Sequence, residues 1–321
     1  MLKFTDEDLL LYEAINHIDE FPSKGGGEGK AYFIGNDLVV KRYFRKVDSE
    51  FEAIFEDYCK EMQKFAERGM NVPKIYSWAK IPNFNRRVNP NHRYDYYILQ
   101  DRVKGRELFY GYLEDIYPVC KKICSKSEFF DSIKNPETNR ALFKEILRRY
   151  VADYIRVNEY LCSLPESQID KFLYDIYVMC LDGKFSLPDM FPANIFLSQD
   201  KISIIDNHCE ERRQNQQTKE FADTAMTSGL VWLFFYNSFL TSKENMSYAN
   251  PEVSSFLVKH RDKVAKPCKA AMIRFIKRMN AVCSSPKITN KKAYVRDLVM
   301  VGDMLTKEDA EEVFSNFCYE M

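Results

Sequence analysis

The sequence predicts an α+β protein in two lobes, a small antiparallel sheet with one main helix followed by a larger, mostly helical part. Three observations carry that expectation. Two β-patterned runs, Lys30–Ile34 and Leu38–Tyr43, flank Gly35-Asn36-Asp37, residues that tolerate the positive φ of a hairpin turn. An amphipathic stretch then runs from about Glu50 to Arg68, opened by Ser49 and Glu52 in capping-box spacing and stopped by Gly69. Beyond Leu108 the pattern changes to Tyr- and Phe-rich stretches of helical character.

The remaining elements fit around these. Residues 1 to about 20 read as a short helix, because Leu11, Ile15 and Ile18 are spaced to share one face. Pro73–Trp78 and Tyr94–Val103 read as further strands, with a polar, turn-rich loop at Arg86–Arg93 between them. The helical stretches from about 109 to 182 are interrupted by a polar break near Ser125–Thr138. A short β pair follows at Ile195–Leu197 and Ile202–Ile205, and the remainder reads helical. The boundary between the parts falls near Lys104-Gly105, giving domains 1–104 and 105–321.

Composition narrows the class. Apolar residues make up 45% of 321, enough for a buried core. Lys plus Arg and Asp plus Glu number 47 each, so a broad footprint for a nucleic-acid backbone is not expected. Met1–Leu11 carries acids where a signal peptide would carry a basic segment and an apolar core. The longest apolar run, Leu230–Tyr236, is too short for a bilayer, so no membrane partner is expected. Nine cysteines scatter without a framework, which suits a reducing compartment and a cytoplasmic location. Cys120 and Cys124 stand one helical turn apart without the second pair a zinc site needs.

Four features carry chemistry. Lys24-Gly25-Gly26-Gly27-Glu28-Gly29 precedes the hairpin, and a glycine run lets backbone N–H groups approach phosphates. By itself such a run is only a flexible turn. Lys41 ends the apolar strand Leu38-Val39-Val40. On the following helix Ile54, Tyr58 and Phe65 share a face, and Glu61 falls within that stripe. A carboxylate facing a core needs a partner, and Lys41 is the natural one. The fourth feature is Asp189-Met190-Phe191-Pro192-Ala193-Asn194, followed after a turn by Ile202-Ser203-Ile204-Ile205-Asp206. Asn and Asp oxygens are hard ligands suited to Mg²⁺, and the first Asp is placed to orient or deprotonate an acceptor hydroxyl.

Taken in order, the glycine loop, strand lysine, helix glutamate, D-x-x-x-x-N block and strand-ending Asp resemble the protein-kinase-like superfamily. That group spans eukaryotic-type and atypical bacterial-type protein kinases and the aminoglycoside- and choline-kinase-like small-molecule kinases. The resemblance covers roughly residues 24 to 225. It implies ATP and Mg²⁺ as cofactors. By that likeness Gly26, Gly27, Gly29 and Lys41 hold phosphates, and Glu61 partners Lys41, with Asp57 as a fallback. The backbone of Asp101 and Val103 would bind adenine, Asp189 would be catalytic, and Asn194 and Asp206 would be metal ligands.

There are departures. Leu187 and Pro188 stand where the family has His followed by Arg or Gly, Phe191 where it has Lys or His, and Asn207-His208 where it has Phe-Gly. Phe191 removes a polar group from beside the transferring phosphate. After Asp206 the short segment to Asp223 resembles the small-molecule kinases, whereas the multi-glycine loop resembles protein kinases. The expected function is an ATP-dependent phosphotransferase acting on an unidentified hydroxyl-bearing partner, a small molecule or a protein. The alternatives are a catalytically impaired nucleotide-binding scaffold and, behind it, nucleotidyl transfer. Glu210-Glu211-Arg212-Arg213 reads as a solvated face whose arginines could touch an anionic substrate.

Overall fold

The computed structural model describes residues 5–25, 29–44, 49–82, 94–108, 116–212, 216–237, 267, 269–279 and 282. It is an α+β structure, with an antiparallel sheet in the N-terminal part and helices dominating after it.

Helix α1 (Asp6–Asn16) begins at a reciprocal cap. The Thr5 hydroxyl accepts from the Asp8 amide at 3.2 Å, and the Asp8 carboxylate accepts from the Thr5 amide at 2.9 Å. Its inner face sends Leu11 and Ala14 into a cluster with Tyr32, Val40, Ala79 and Leu99. Strands β1 (Ser23–Gly25), β2 (Gly29–Ile34), β3 (Leu38–Tyr43), β4 (Ile75–Pro82) and β5 (Tyr94–Asp101) form one sheet in the order β1-β2-β3-β5-β4. Every neighbouring pair is antiparallel. The β2–β3 hairpin closes through Gly35-Asn36-Asp37, and Gly35 takes φ +59°, a left-handed conformation that a Cβ disfavours. Strand β1 was not foreseen; Ser23–Gly25 pairs with Lys30–Tyr32 as an edge.

Helix α2 (Ser49–Glu67) is the main helix of this part. It buries Phe51, Ile54, Phe55, Tyr58, Cys59, Met62 and Phe65. Phe51 and Phe55 meet the rings of Tyr43 and Tyr96, the tightest pair being Phe55–Tyr96 at 4.8 Å between centroids. Fully burying one such side chain is worth about 1.5–3 kcal/mol, so this contact fixes the helix on the sheet.

The helical part contains β6 (Arg106–Glu107), α3 (Tyr117–Cys120), α4 (Lys126–Lys134), α5 (Arg140–Ser163) and α6 (Glu166–Asp182). Ile116, Cys120, Phe129, Ile146, Tyr150 and Tyr154 share one buried cluster. The polar break expected near Ser125–Thr138 is instead helix α4 for most of its length. Ser125 and Glu128 form a capping box there, and Phe129 supplies the buried anchor.

The next stretch alternates short strands: β7 (Ser186–Pro188), β8 (Ile195–Leu197), β9 (Ile202–Ile204) and β10 (Asn207–Cys209), before helix α7 (Lys219–Asn237). The chain divides into two compact units. The first comprises Met1–Gly105, Val178–Asp189 and Ser203–Phe221; the second comprises Arg106–Tyr177, Met190–Ile202 and Ala222–Met321. Strand β8 pairs with β6 inside the second unit, and β10 pairs with β7 inside the first. Among the described residues no helix is long and apolar enough to cross a membrane.

Candidate active site

Lys41, Glu61, Asp189 and Asp206 all belong to the first unit. Lys41 sits on β3 opposite Ala31 and Ile98, in the middle of the sheet. Its Nζ donates to Asp206 Oδ1 at 3.0 Å and to the Ile205 carbonyl at 2.8 Å. The lysine side chain is 15% exposed and the aspartate 33%, so the pair is shielded on one side and open to solvent on the other.

Strands β7 and β10 bring Asp189 to the same place. Pro188 pairs with Asn207, so the next positions along the ladder are Asp189 and Asp206. The Asp189 amide donates to the Asp206 carbonyl at 3.4 Å, continuing that register. One antiparallel pair of three-residue strands thus sets the two aspartates side by side, with Lys41 on the second of them. The same pairing puts His208 Nε2 at 3.9 Å from Asp189 Oδ1. An imidazole therefore stands beside Asp189 although Leu187 and Pro188 precede it; no local sequence pattern marks it, because the two segments pair across nineteen residues.

The ion pair expected between Lys41 and Glu61 is replaced. Lys41 is taken by Asp206 and Ile205, while Glu61 accepts from three donors elsewhere. These are the Lys184 amide at 2.7 Å, the Phe185 amide at 3.1 Å and the Ser186 hydroxyl at 2.7 Å. The physical reason is supply: the turn entering β7 presents unpaired N–H groups to α2, and a carboxylate satisfies two of them at once. Asp57, the fallback, is exposed on the same helix.

The opposite side of that turn is held by Arg212. Its guanidinium donates to the Gly183 carbonyl at 2.6 Å, to the Met179 carbonyl at 3.4 Å and to the Gln216 carbonyl, and its amide donates to the Lys184 carbonyl at 2.8 Å. Arg212 is 2% exposed, so the solvated face expected for Glu210–Arg213 is overturned at this position. Burial is the main influence on the guanidinium, lowering its pKa from the usual value. Arg213 lies outside the described residues. Gly183 is needed in the same turn, since a Cβ there would lie 2.5 Å from the Met179 carbonyl and 2.8 Å from that of Ser186.

The other expected positions divide. Gly26 and Gly27 lie outside the described residues. Gly29 opens β2 against Tyr43, and a Cβ on it would run into the Arg42 carbonyl, so close strand approach already demands glycine. Asp101 ends β5; its amide donates to the Lys74 carbonyl at 3.0 Å, and its carboxylate accepts from the Lys74 amide and the Tyr76 hydroxyl. That hydrogen bond, ahead of partial burial, pushes Tyr76 up to about 12. Val103 follows in a half-buried irregular segment. Asn194 ends a short 3₁₀ turn, Pro192–Asn194, in the second unit, where its amide donates to the Phe191 carbonyl at 2.8 Å.

The donor set suits a hard divalent cation shared with a ligand. Among the described residues no group of three or more His, Cys, Asp or Glu side chains could hold a metal unaided. One or two carboxylates are what Mg²⁺ commonly takes from a protein, completing its octahedron with water and substrate phosphates.

No family model matches the chain, and no curated protein does. Among solved structures it is similar to a Legionella pneumophila kinase, Lpg2603, bound to IP6, at 12% identity over 87% of this chain and 79% of that one, with a TM-score of 0.30. It is also similar to the amicoumacin kinase hAmiN in complex with AMP-PNP, Ca²⁺ and Ami, at 10% identity over 98% and 96%, TM-score 0.32. A third is the streptomycin–ATP–APH(2")-IIa ternary complex, at 12% identity over 95% and 99%, TM-score 0.25.

Proposed function

We propose that the chain is an ATP- and divalent-metal-dependent phosphotransferase acting on a hydroxyl acceptor. The observation that carries this reading is the Lys41–Asp206 pair, 3.0 Å apart, with Asp189 set beside Asp206 by the β7–β10 ladder. A cation and two carboxylates, one-third exposed or less, form a compact site for polyphosphate and metal.

In this reading Lys41 meets phosphate oxygens and Asp206 is the metal ligand. Asn194 is a further oxygen ligand proposed from its sequence position, Gly26, Gly27 and Gly29 line the phosphates, and the Asp101 and Val103 backbone receives adenine. A bound Mg²⁺ would neutralise charge on the phosphates. Asp189 accepts the acceptor hydroxyl's proton, or orients that hydroxyl for in-line attack. Residues 1–104 would supply the glycine loop, the strand lysine and the helix glutamate, and 105–321 the catalytic loop and the metal-binding Asp206. The break between compact units after Gly105 supports the first boundary, although 178–189 and 203–221 group with the sheet. The described cysteines are free thiols, which fits a cytoplasmic setting.

Phe191 favours a second reading, a nucleotide-binding scaffold without transfer, because it leaves no polar side chain at that position. Asp189→Asn separates the two. Turnover of ATP, measured as phosphate released or transferred, should fall at least a hundredfold while ATP binding stays intact. Wild-type protein that binds ATP with no turnover at any acceptor would favour the scaffold.

A further inference from the structure

The position that the strand-lysine pattern assigns to Lys41's partner does something else here. Glu61 collects the Lys184 and Phe185 amides and the Ser186 hydroxyl, all within 3.1 Å. Ser186 opens β7, and Asp189 follows three residues later. A strand of three residues has too few ladder bonds to fix its own direction. The segment is instead held from both sides: Glu61 takes its N–H groups, while Arg212 and the Glu210 amide take the carbonyls of Gly183, Lys184 and Phe185. The Glu61 carboxylate and the Arg212 guanidinium are thus opposite charges working on one turn, and the turn's other end is Asp189.

We propose that Glu61 is a positioning residue for Asp189, acting on the transfer step through the backbone of Lys184–Ser186 and leaving nucleotide binding to Lys41. This rests on the phosphotransferase reading of Asp189. It separates two effects that an ion pair with Lys41 would join. If Glu61 held the lysine, its loss would weaken nucleotide binding. Because its partners lie on the approach to β7, its loss frees the aspartate that meets the acceptor and leaves Lys41 on Asp206 and Ile205. Ionisation matters: two acceptor oxygens serve three donors, whereas an amide offers one acceptor and turns an N–H group toward another N–H.

The test compares Glu61→Gln, Ser186→Ala and Lys41→Ala in the full chain. Calorimetry gives the dissociation constant for Mg·ATP, ATP turnover gives kcat, and amide hydrogen exchange follows residues 184–186 and 38–43. Glu61→Gln should keep the dissociation constant within about twofold, lower kcat at least tenfold and speed exchange at Lys184 and Phe185 while β3 is unchanged. Ser186→Ala, which cannot touch Lys41, should lower kcat a few-fold with the same unchanged affinity. Lys41→Ala should lose affinity. Affinity lost in Glu61→Gln as in Lys41→Ala, or kcat and exchange both unmoved by the two turn variants, overturns the proposal. A wild type that neither binds Mg·ATP nor turns it over sinks the phosphotransferase reading itself; the exchange data then decide only whether Glu61 holds the turn.

Discussion

Two pieces of the first unit position its charged residues by different means. Lys41 stands on β3, a six-residue strand with paired backbone on both edges, flanked by β2 and β5 along its whole length. Asp189 follows β7, whose three residues pair only with the three of β10. The sheet carries Lys41 through a repeated backbone ladder, in which no single bond decides the outcome. The segment before Asp189 depends on two charged side chains, Glu61 and Arg212, that bridge it to α2 and to the stretch after β10. Lys41 and Asp189 are therefore held by structures of unequal redundancy. A substitution in the ladder is shared out among many bonds; one in the clamp is not.

Substitutions in the two regions should differ in their cost. The largest effect should come from Arg212→Ala. It removes a buried cation that donates to the carbonyls of Gly183, Met179 and Gln216, and each charged bond to a buried acceptor is worth about 1.5–3 kcal/mol. A loss of about 3 kcal/mol or more in urea unfolding is expected. A smaller effect should follow Gly35→Val in the β2–β3 turn. A branched side chain at φ +59° costs about 1–2 kcal/mol, and the ladder on either side should remain formed. If the turn variant proves more harmful than the arginine variant, the contrast drawn above is wrong.

The smallest effect should come from the contact between α1 and β4. The Ser77 hydroxyl, and after it the Thr5 amide, hold the Asp8 carboxyl below its ordinary value. A carboxylate whose folded pKa is depressed contributes stability above its unfolded pKa, and that contribution fades as pH falls through the folded one. The difference in melting temperature between wild type and Ser77→Ala should therefore be present at pH 7 and shrink below about pH 4. A difference that holds constant down to pH 2 would mean that the Ser77 contact does not act through the Asp8 charge.

Much of the sheet was legible because its signals are local. The β2–β3 hairpin is written in Gly35-Asn36-Asp37 between alternating runs, and α2 in the stripe from Phe51 to Phe65. That Glu61 needs a partner could be read from its place in that stripe. Which partner it takes could not, because its donors lie more than a hundred residues along the chain, on backbone that carries no sequence signal. Strands β7 and β10 were missed for a related reason: three residues cannot show a period, and their pairing is set at long range. Arg212 looks solvated because it stands in a charged run, yet its guanidinium is taken up by the carbonyls of Met179 and Gly183 at the end of α6 and of Gln216. Helix α4 is hidden in a polar stretch, although its Ser125–Glu128 capping box is present in the sequence.

The most direct test of the central claim is the thermal shift with ATP, with and without Mg²⁺, on wild type, Lys41→Ala and Asp206→Ala. At a hundred times its dissociation constant a ligand stabilises the fold by about 2.7 kcal/mol, a rise in melting temperature that is easily read. The account predicts a Mg²⁺-dependent rise in the wild type that both variants lose. The same rise in all three proteins, or none with any nucleotide in the wild type, would contradict it.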